Sequence, residues 1–383
     1  MRAIDALLSV ALFTAPLACQ TIWIVDGDGG GQFTSITAAA QVANDGDIIL
    51  VRYWSGLAVS WDFVLTKGLT IVGIGSNRAE VIGHLVIQGL TANQRVVLRS
   101  LQPDSLPGHA ARVTVQQCAG AVVLDDVVLD GVAGAMSGDA GLEVAGSSHV
   151  AIGRSHLYGD VGVRVEGATV TCTDSTVLGR SNPGGPGATS PALQATNARL
   201  WLSSSLFSGG SNMNMGSWSG PGRNGLLLQG TAATLASCTV YGGYGLLGFA
   251  ASIDLDAASS LTFDAATWLR DGIGGSGSVA NAETGAVMGG IVSAQPADFV
   301  IDASPGDFAV LAVSLLEPQV TTPFGPLWLL PPTIDVVAVG MVPVRGTFTA
   351  PRGAPHGSAF AMQGIVLHQA DVRLSTPLVS TTR

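Results

Sequence analysis

Lysine is nearly absent from this chain: Lys67 is the only one in 383 residues. Charged side chains of all kinds make up 11%, less than half the share of an ordinary soluble domain. The 17 basic residues are outnumbered by 27 acidic ones, for a net charge of −10. A nucleic-acid groove needs clustered cations to neutralise phosphates, so that class of partner is excluded, and a polyanionic ligand requires a local basic exception. Cysteine is sparse too. Beyond Cys19, only Cys118, Cys172 and Cys238 remain, and their spacing gives neither a disulfide framework nor a metal-ligand set. The apolar run 6–17 is too short to span a bilayer, so no transmembrane span is expected in the mature chain.

What the chain has instead is 47% apolar residues and 51 glycines. That combination suits short strands joined by tight corners, where glycines turn the chain and small uncharged residues stack in ladders. Arg2, the apolar run and the Ala18-Cys19 boundary read as a signal peptide over 1–19, which directs a bacterial protein to the cell surface or the medium. In the alternative reading, Pro16-Leu17-Ala18-Cys19 is a lipoprotein cleavage box and Cys19 carries the lipid anchor.

A strand at 22–25, a glycine-rich turn at 26–31 and an alanine-rich helix follow. Thr34 or Ser35 caps this helix, and Ile36, Ala39, Ala40 and Ala43 share one face. Further short strands carry Leu65, Ile71, Leu85, Val86, Val96 and Leu98. After Arg112 a repeat becomes explicit, with inward side chains at relative positions 0, 2, 5 and 7 and glycine at 9. Its five copies end at Gly131, Gly159, Gly179, Gly209 and Gly242. A second unit contains Leu142, Val163, Leu193 and Leu226, so coil lengths are 21, 30 and 33 residues. The period-two spacing within each unit sends alternate side chains inward, and the three-residue step between positions 2 and 5 marks a corner. These features predict an all-β fold: a right-handed parallel β-helix over 20–270, closed at its start by the helix. Cys172 and Cys238 fall at inward positions. Residues 271–295 read as a linker or terminal coil, and 296–383 as a small all-β, sandwich-like domain that caps the open end or acts independently.

The opening turn, Phe33-Thr34-Ser35-Ile36, the alanine-rich helix, Gly46-Asp47-Ile48-Ile49-Leu50-Val51 and Lys67-Gly68-Leu69-Thr70-Ile71-Val72-Gly73 together resemble the pectin-lyase-like superfamily. The resemblance implies the same β-helix and an extracellular polysaccharide or cell-surface glycan as partner. It includes pectate lyases, pectin methylesterases, polygalacturonases and β-helix proteins of no demonstrated activity, and the catalytic motifs of the esterases and polygalacturonases are not matched here. More loosely, the C-terminal region resembles β-domains of exported planctomycete proteins.

Variation is concentrated in inserts at 132–140, 180–191 and 210–223, all following the closing glycine and so all leaving one edge of the stack, the usual place for a binding surface. The inserts offer Asn182, Asn212, Asn214, Trp218 and Arg223, amides, a guanidinium and an aromatic platform suited to sugar rings. Position 4 reads Asp126, Arg154, Asp174, Ser204, Ser237, and position 10 sets Asp160 beside Arg180. As catalytic residues, Arg154, Asp174, Asp160 and Arg180 would converge on an acidic polysaccharide as a lyase or hydrolase site, with Ca²⁺ as the cofactor of a lyase and no cofactor otherwise. Opposite charges on neighbouring rungs are also the ordinary way to place charge on a parallel sheet. His149 and His156 read as surface side chains flanking one rung. Three classes of function therefore stay open: a noncatalytic glycan-binding or envelope and adhesive protein, a polysaccharide lyase or glycoside hydrolase, and a purely architectural or assembly role for the C-terminal domain.

Overall fold

The computed structural model describes residues 20–52, 58–104, 110–131, 139–147, 149–181, 189–211, 222–245, 248–281, 286–289, 297–302, 307–322, 325–329, 335–349, 359–368, 371–374 and 378–381. The leader and the lipid-box reading of Cys19 lie outside them. The described chain is mostly β-strand, with one helix near its start.

Eleven parallel strands form one sheet, here sheet A, running from Ile22–Val25 through Ala121–Asp125, His149–Gly153, Thr169–Thr173 and Arg199–Ser203 to Ser278–Asn281. Sheet B stacks Val128–Asp130, His156–Gly159, Thr176–Gly179, Leu206–Ser208, Thr239–Tyr241 and Trp268–Leu269. Sheet C stacks the second half of Ala79–Gln88, then Ala111–Gln116, Ala140–Ala145, Val161–Glu166, Leu193–Thr196, Leu226–Gln229, Ile253–Leu255 and Ile273–Gly275. Each coil visits A, B and C in turn, which makes a solenoid. The register follows the repeat: Val122 pairs with Val150, then Val170, Leu200 and Ala233, while Leu129 stacks on Leu157, Val177, Phe207 and Val240. These side chains fill one continuous core that includes Cys118, Cys172 and Cys238. All three cysteines are unpaired and buried. Burial pushes the thiols of Cys172 and Cys238 up to about 12, so they pack as apolar groups.

The corners explain the sequence's exceptions to apolarity. Position 4 turns the chain through the left-handed region: φ is 58° at Asp126, 48° at Arg154 and Asp174, 47° at Ser204 and 53° at Ser237. Position 5 forms a hydroxyl ladder. Ser175 Oγ accepts from Ser155 N at 3.1 Å and donates to Thr173 O at 2.8 Å, and Ser205 repeats the pattern one coil on. Each ladder hydroxyl satisfies backbone groups that the turn removes from the sheet. Position 9 must be glycine because the chain folds back against it. A Cβ at Gly179 would lie 2.1 Å from Ser190 O, and one at Gly209 would lie 2.0 Å from Arg223 O.

The helix Ile36–Val42 starts at Ser35, whose side chain accepts from Ala38 N, and buries Ile36, Ala39 and Ala40 on the core. Lys67 Nζ donates to Ala43 O at the helix end. Burial opposes ionisation of Asp47, but hydrogen bonds from Asn44 N, Thr21 N and Trp23 Nε1 outweigh it and hold the carboxyl below its usual range.

Past Phe263, where the sequence pattern fades, Ile273–Gly275 and Ser278–Asn281 continue the ladders. The C-terminal strands form smaller antiparallel sheets around Phe299, Ile301, Leu311, Val344, Phe360 and Met362. Ala312 and Ala361 pack onto Val97, Val123 and Ala151, on the outer face of sheet A.

Candidate functional site

The edge where sheet B passes into sheet C carries a continuous polar strip. It begins at His84, whose ring nitrogen Nε2 lies 2.8 Å from Thr114 Oγ1 and whose backbone N–H donates to Asp62 Oδ1 at 2.7 Å. His84 stacks in register on Arg112, which is ion-paired with Asp139. One coil on, Glu143 and Arg164 are register partners at 3.8 Å, and Asp160 accepts from Arg180 Nη1 at 2.8 Å. Asp160 N donates to Asp139 O, and Asp130 pairs with both Ala111 and Tyr158. The strip thus crosses four coil steps, about 19 Å at rung spacing.

The surroundings set the protonation of its two neutral titratable groups. Burial and the adjacent Arg112 charge hold the His84 imidazole below its ordinary value, against the opposing pull of Asp62, Asp139 and Glu143. Burial and the negative charges of Asp130 and Asp160 raise the Tyr158 phenol, against Arg180. Near neutral pH both are uncharged and act through hydrogen bonds, between ion pairs that supply donors and acceptors side by side.

Of the four residues expected to form one catalytic cluster, Asp160 is ion-paired with Arg180, and Arg154 acts electrostatically on Asp174. Arg154 and Asp174 sit at the other end of the sheet B strands, at the left-handed corner shared with sheet A. There Arg154 is ion-paired with the fully buried Asp125, which also lies 3.9 Å from Arg99. Positions 4 and 10 lie at opposite ends of one strand, so the two pairs occupy separate places. Asp174 is exposed at its rim, yet burial of its surroundings raises its carboxyl more than Arg154 lowers it. Next to this corner a cleft of about 590 Å³ is lined by residues 72–78, Arg99, Ser100, Gln102 and Asp126. Arg78 closes on Asp126 through Nε and Nη2 at 3.1 and 2.7 Å, and Ser100 Oγ donates to the other carboxylate oxygen at 2.8 Å. These bonds hold Asp126 at its left-handed corner.

Asn182, Asn212, Asn214 and Trp218 lie outside the described residues. Arg223 donates from Nε to Thr189 O at 3.0 Å and so ties the base of one insert to the next. His149 corrects the surface reading: it is 7% exposed, whereas His156 is exposed. Asp26 accepts from Asp28 N and Arg52 Nη1, so the aspartate-glycine turn is held by its own chain. Among the described residues no three His, Cys, Asp or Glu side chains gather as a metal site. The Ca²⁺ implied for a lyase thus finds no ligand set there. His84, Arg112, Asp139 and Tyr158 were not singled out by sequence reasoning. His84 lies before the explicit repeat begins, and the signal that would have found it is its register with Arg112.

No protein-family model matches the chain, and no curated protein sequence matches it significantly. Among solved structures, it is similar to the enzymatically active domain of tailspike protein 2 of bacteriophage CBA120, at 9% identity and a TM-score of 0.35. The alignment covers 94% of this chain and 63% of that one, so the chain spans less than two thirds of the tailspike domain's length.

Proposed function

We propose that the chain is an exported or cell-surface right-handed parallel β-helix that binds a polysaccharide along the edge between sheets B and C. The observation that carries this reading is the file of cross-coil ion pairs, Arg112 with Asp139, Arg164 with Glu143 and Arg180 with Asp160. A sugar hydroxyl both donates and accepts, so a chain of vicinal hydroxyls can bond to a guanidinium and a carboxylate in alternation, with the pair's charge already balanced. A strip of about 19 Å suits an extended chain of rings better than a single small molecule. The right hand of the winding follows from the strong preference of parallel crossovers, and export from the leader's composition. The insert residues Asn182, Asn212, Asn214, Trp218 and Arg223 would add contacts along the same edge.

A second reading is turnover of a polysaccharide on this edge. His84 favours it, because a neutral imidazole beside Asp62 and Arg112 is the protonation state a general base requires. In that reading Asp160 and Arg180 belong to the reacting edge and Arg154 and Asp174 to the scaffold. Both readings are tested by incubating the protein with pectins, alginates, sulfated glycans and neutral glucans, measuring binding and new reducing or unsaturated ends together. Binding with unchanged chain length is expected. Depolymerisation abolished by His84→Asn would replace the first reading with the second, and absence of binding to every glycan would overturn both.

A further inference from the structure

The row of outward side chains that contains Asp130 and Tyr158 continues through Leu178 and Ser208 to Tyr241, three coils beyond Tyr158. At that end the surface changes character. Trp268 is 55% exposed and stands edge-on to Tyr241, with ring centroids 5.3 Å apart and planes at 88°. Phe249 and Tyr244, 48% and 43% exposed, are 5.1 Å apart. The Arg270 guanidinium lies over both groups, 4.5 Å from the Phe249 ring and 5.8 Å from Tyr241.

The packing of the scaffold does not require this cluster. Leu269, between Trp268 and Arg270, is the side chain that turns toward the core, so its two neighbours share the outer face. Like Arg164 in the strip, Arg270 has a carboxylate at ion-pairing distance. Its nearest described carboxylate, Asp271, is 3.9 Å from Nε, and the other oxygen of Asp271 accepts from Gly242 N at 3.0 Å. The guanidinium is held by ring faces, an arrangement that leaves its charge directed outward. The exposed guanidinium, held against ring faces, is a donor that an anionic group can reach.

We infer that Trp268, Tyr241 and Arg270, flanked by Phe249 and Tyr244, form a subsite for a pyranose ring bearing an anionic substituent. The electron-rich indole face takes the C–H face of the ring, and Arg270 pairs with the carboxylate or sulfate. Tyr241 lies in the same register row as Tyr158, so the cluster continues the line of the polar strip. The inference rests on the polysaccharide-binding reading and adds to it the charge class of one sugar and the place where it is read.

The test uses the full chain and three probes: hexagalacturonate for carboxylate, a carrageenan hexasaccharide for sulfate and cellohexaose as the uncharged control. Trp268→Ala is expected to weaken binding of every bound probe roughly three- to tenfold. Arg270→Gln is expected to remove the preference for an anionic probe over cellohexaose while keeping the weaker uncharged binding. Both side chains are surface-exposed, and an unchanged unfolding midpoint verifies that each variant is folded. Wild-type affinities in Trp268→Ala, or an unchanged anionic preference in Arg270→Gln, would overturn the subsite. Arg112→Gln with Arg180→Gln separates the two claims: if that double variant binds normally while the Trp268 and Arg270 variants do not, the subsite stands and the strip is discarded. Preference for galacturonate or carrageenan identifies the substituent.

Discussion

Lys67 is the only lysine of the chain, and it is spent at the end of the only helix among the described residues, where its ammonium meets the carbonyls of Ala43 and Gln41. A cation there satisfies orphan acceptors and opposes the negative end of the helix dipole. Lys67→Met should therefore lower unfolding stability by about 1 kcal/mol, measured by denaturant titration. Ser175→Ala should cost more, about 1–3 kcal/mol, because it strands the buried Ser155 N–H. His149 gives a pH dependence of fixed sign. Burial holds it down to about 4, against an ordinary 6.5, so the unfolded chain takes up the proton first. Its contribution is fully present above pH 6.5 and is lost as pH falls toward 4, by roughly 2–3 kcal/mol at pH 4.5. His149→Gln should flatten that part of the stability profile; an unchanged profile would remove His149 as its source. Neither role was legible in the sequence. Lys67 acts on carbonyls 24 and 26 residues away, and His149 starts a strand that Leu378–Thr381 approaches from far along the chain.

At the scale of the element, the repeat was legible almost residue for residue, because an inward position every second residue and a fixed corner leave little freedom of register. The pairing of Val122 with Val150 and of Leu142 with Val163 could be written from spacing alone. The spacing did not show that position 4 is left-handed. Asp126, Arg154 and Asp174 therefore invited a catalytic reading, although their first task is to turn the chain. Aspartate tolerates that conformation and a β-branched residue does not. Asp174→Val should destabilise by at least about 1 kcal/mol, and Asp174→Gly should be neutral or stabilising. Gly179→Ala should be worse than either, because its Cβ would meet the Ser190 carbonyl, and a folded variant of wild-type stability would refute the close-approach account of position 9. The early coils resisted reading because their spacing is irregular, and that is where His84 and the beginning of the polar strip lie.

At the scale of the molecule, the C-terminal sheets cover part of the outer face of sheet A, and this directs attention to the edge between sheets B and C. Ala312 and Ala361 are small enough to let the two surfaces meet over Val97, Val123 and Ala151. Ala361→Asp would bury an unpaired charge there; it should loosen the docking and raise the His149 pKa from about 4 toward its ordinary value, which NMR titration reads directly. With that face occupied, the paired charges from Arg112 to Arg180 and the aromatic cluster at Trp268 lie along one accessible side of the stack. Binding of a polysaccharide to that side is the central claim. Its most direct measurement is calorimetric titration of the Arg112→Gln, Arg180→Gln double variant, beside the wild type, with the glycan the wild type binds best. An affinity at least about tenfold weaker at unchanged folding stability is expected, and wild-type affinity in the double variant would rule out binding along this edge.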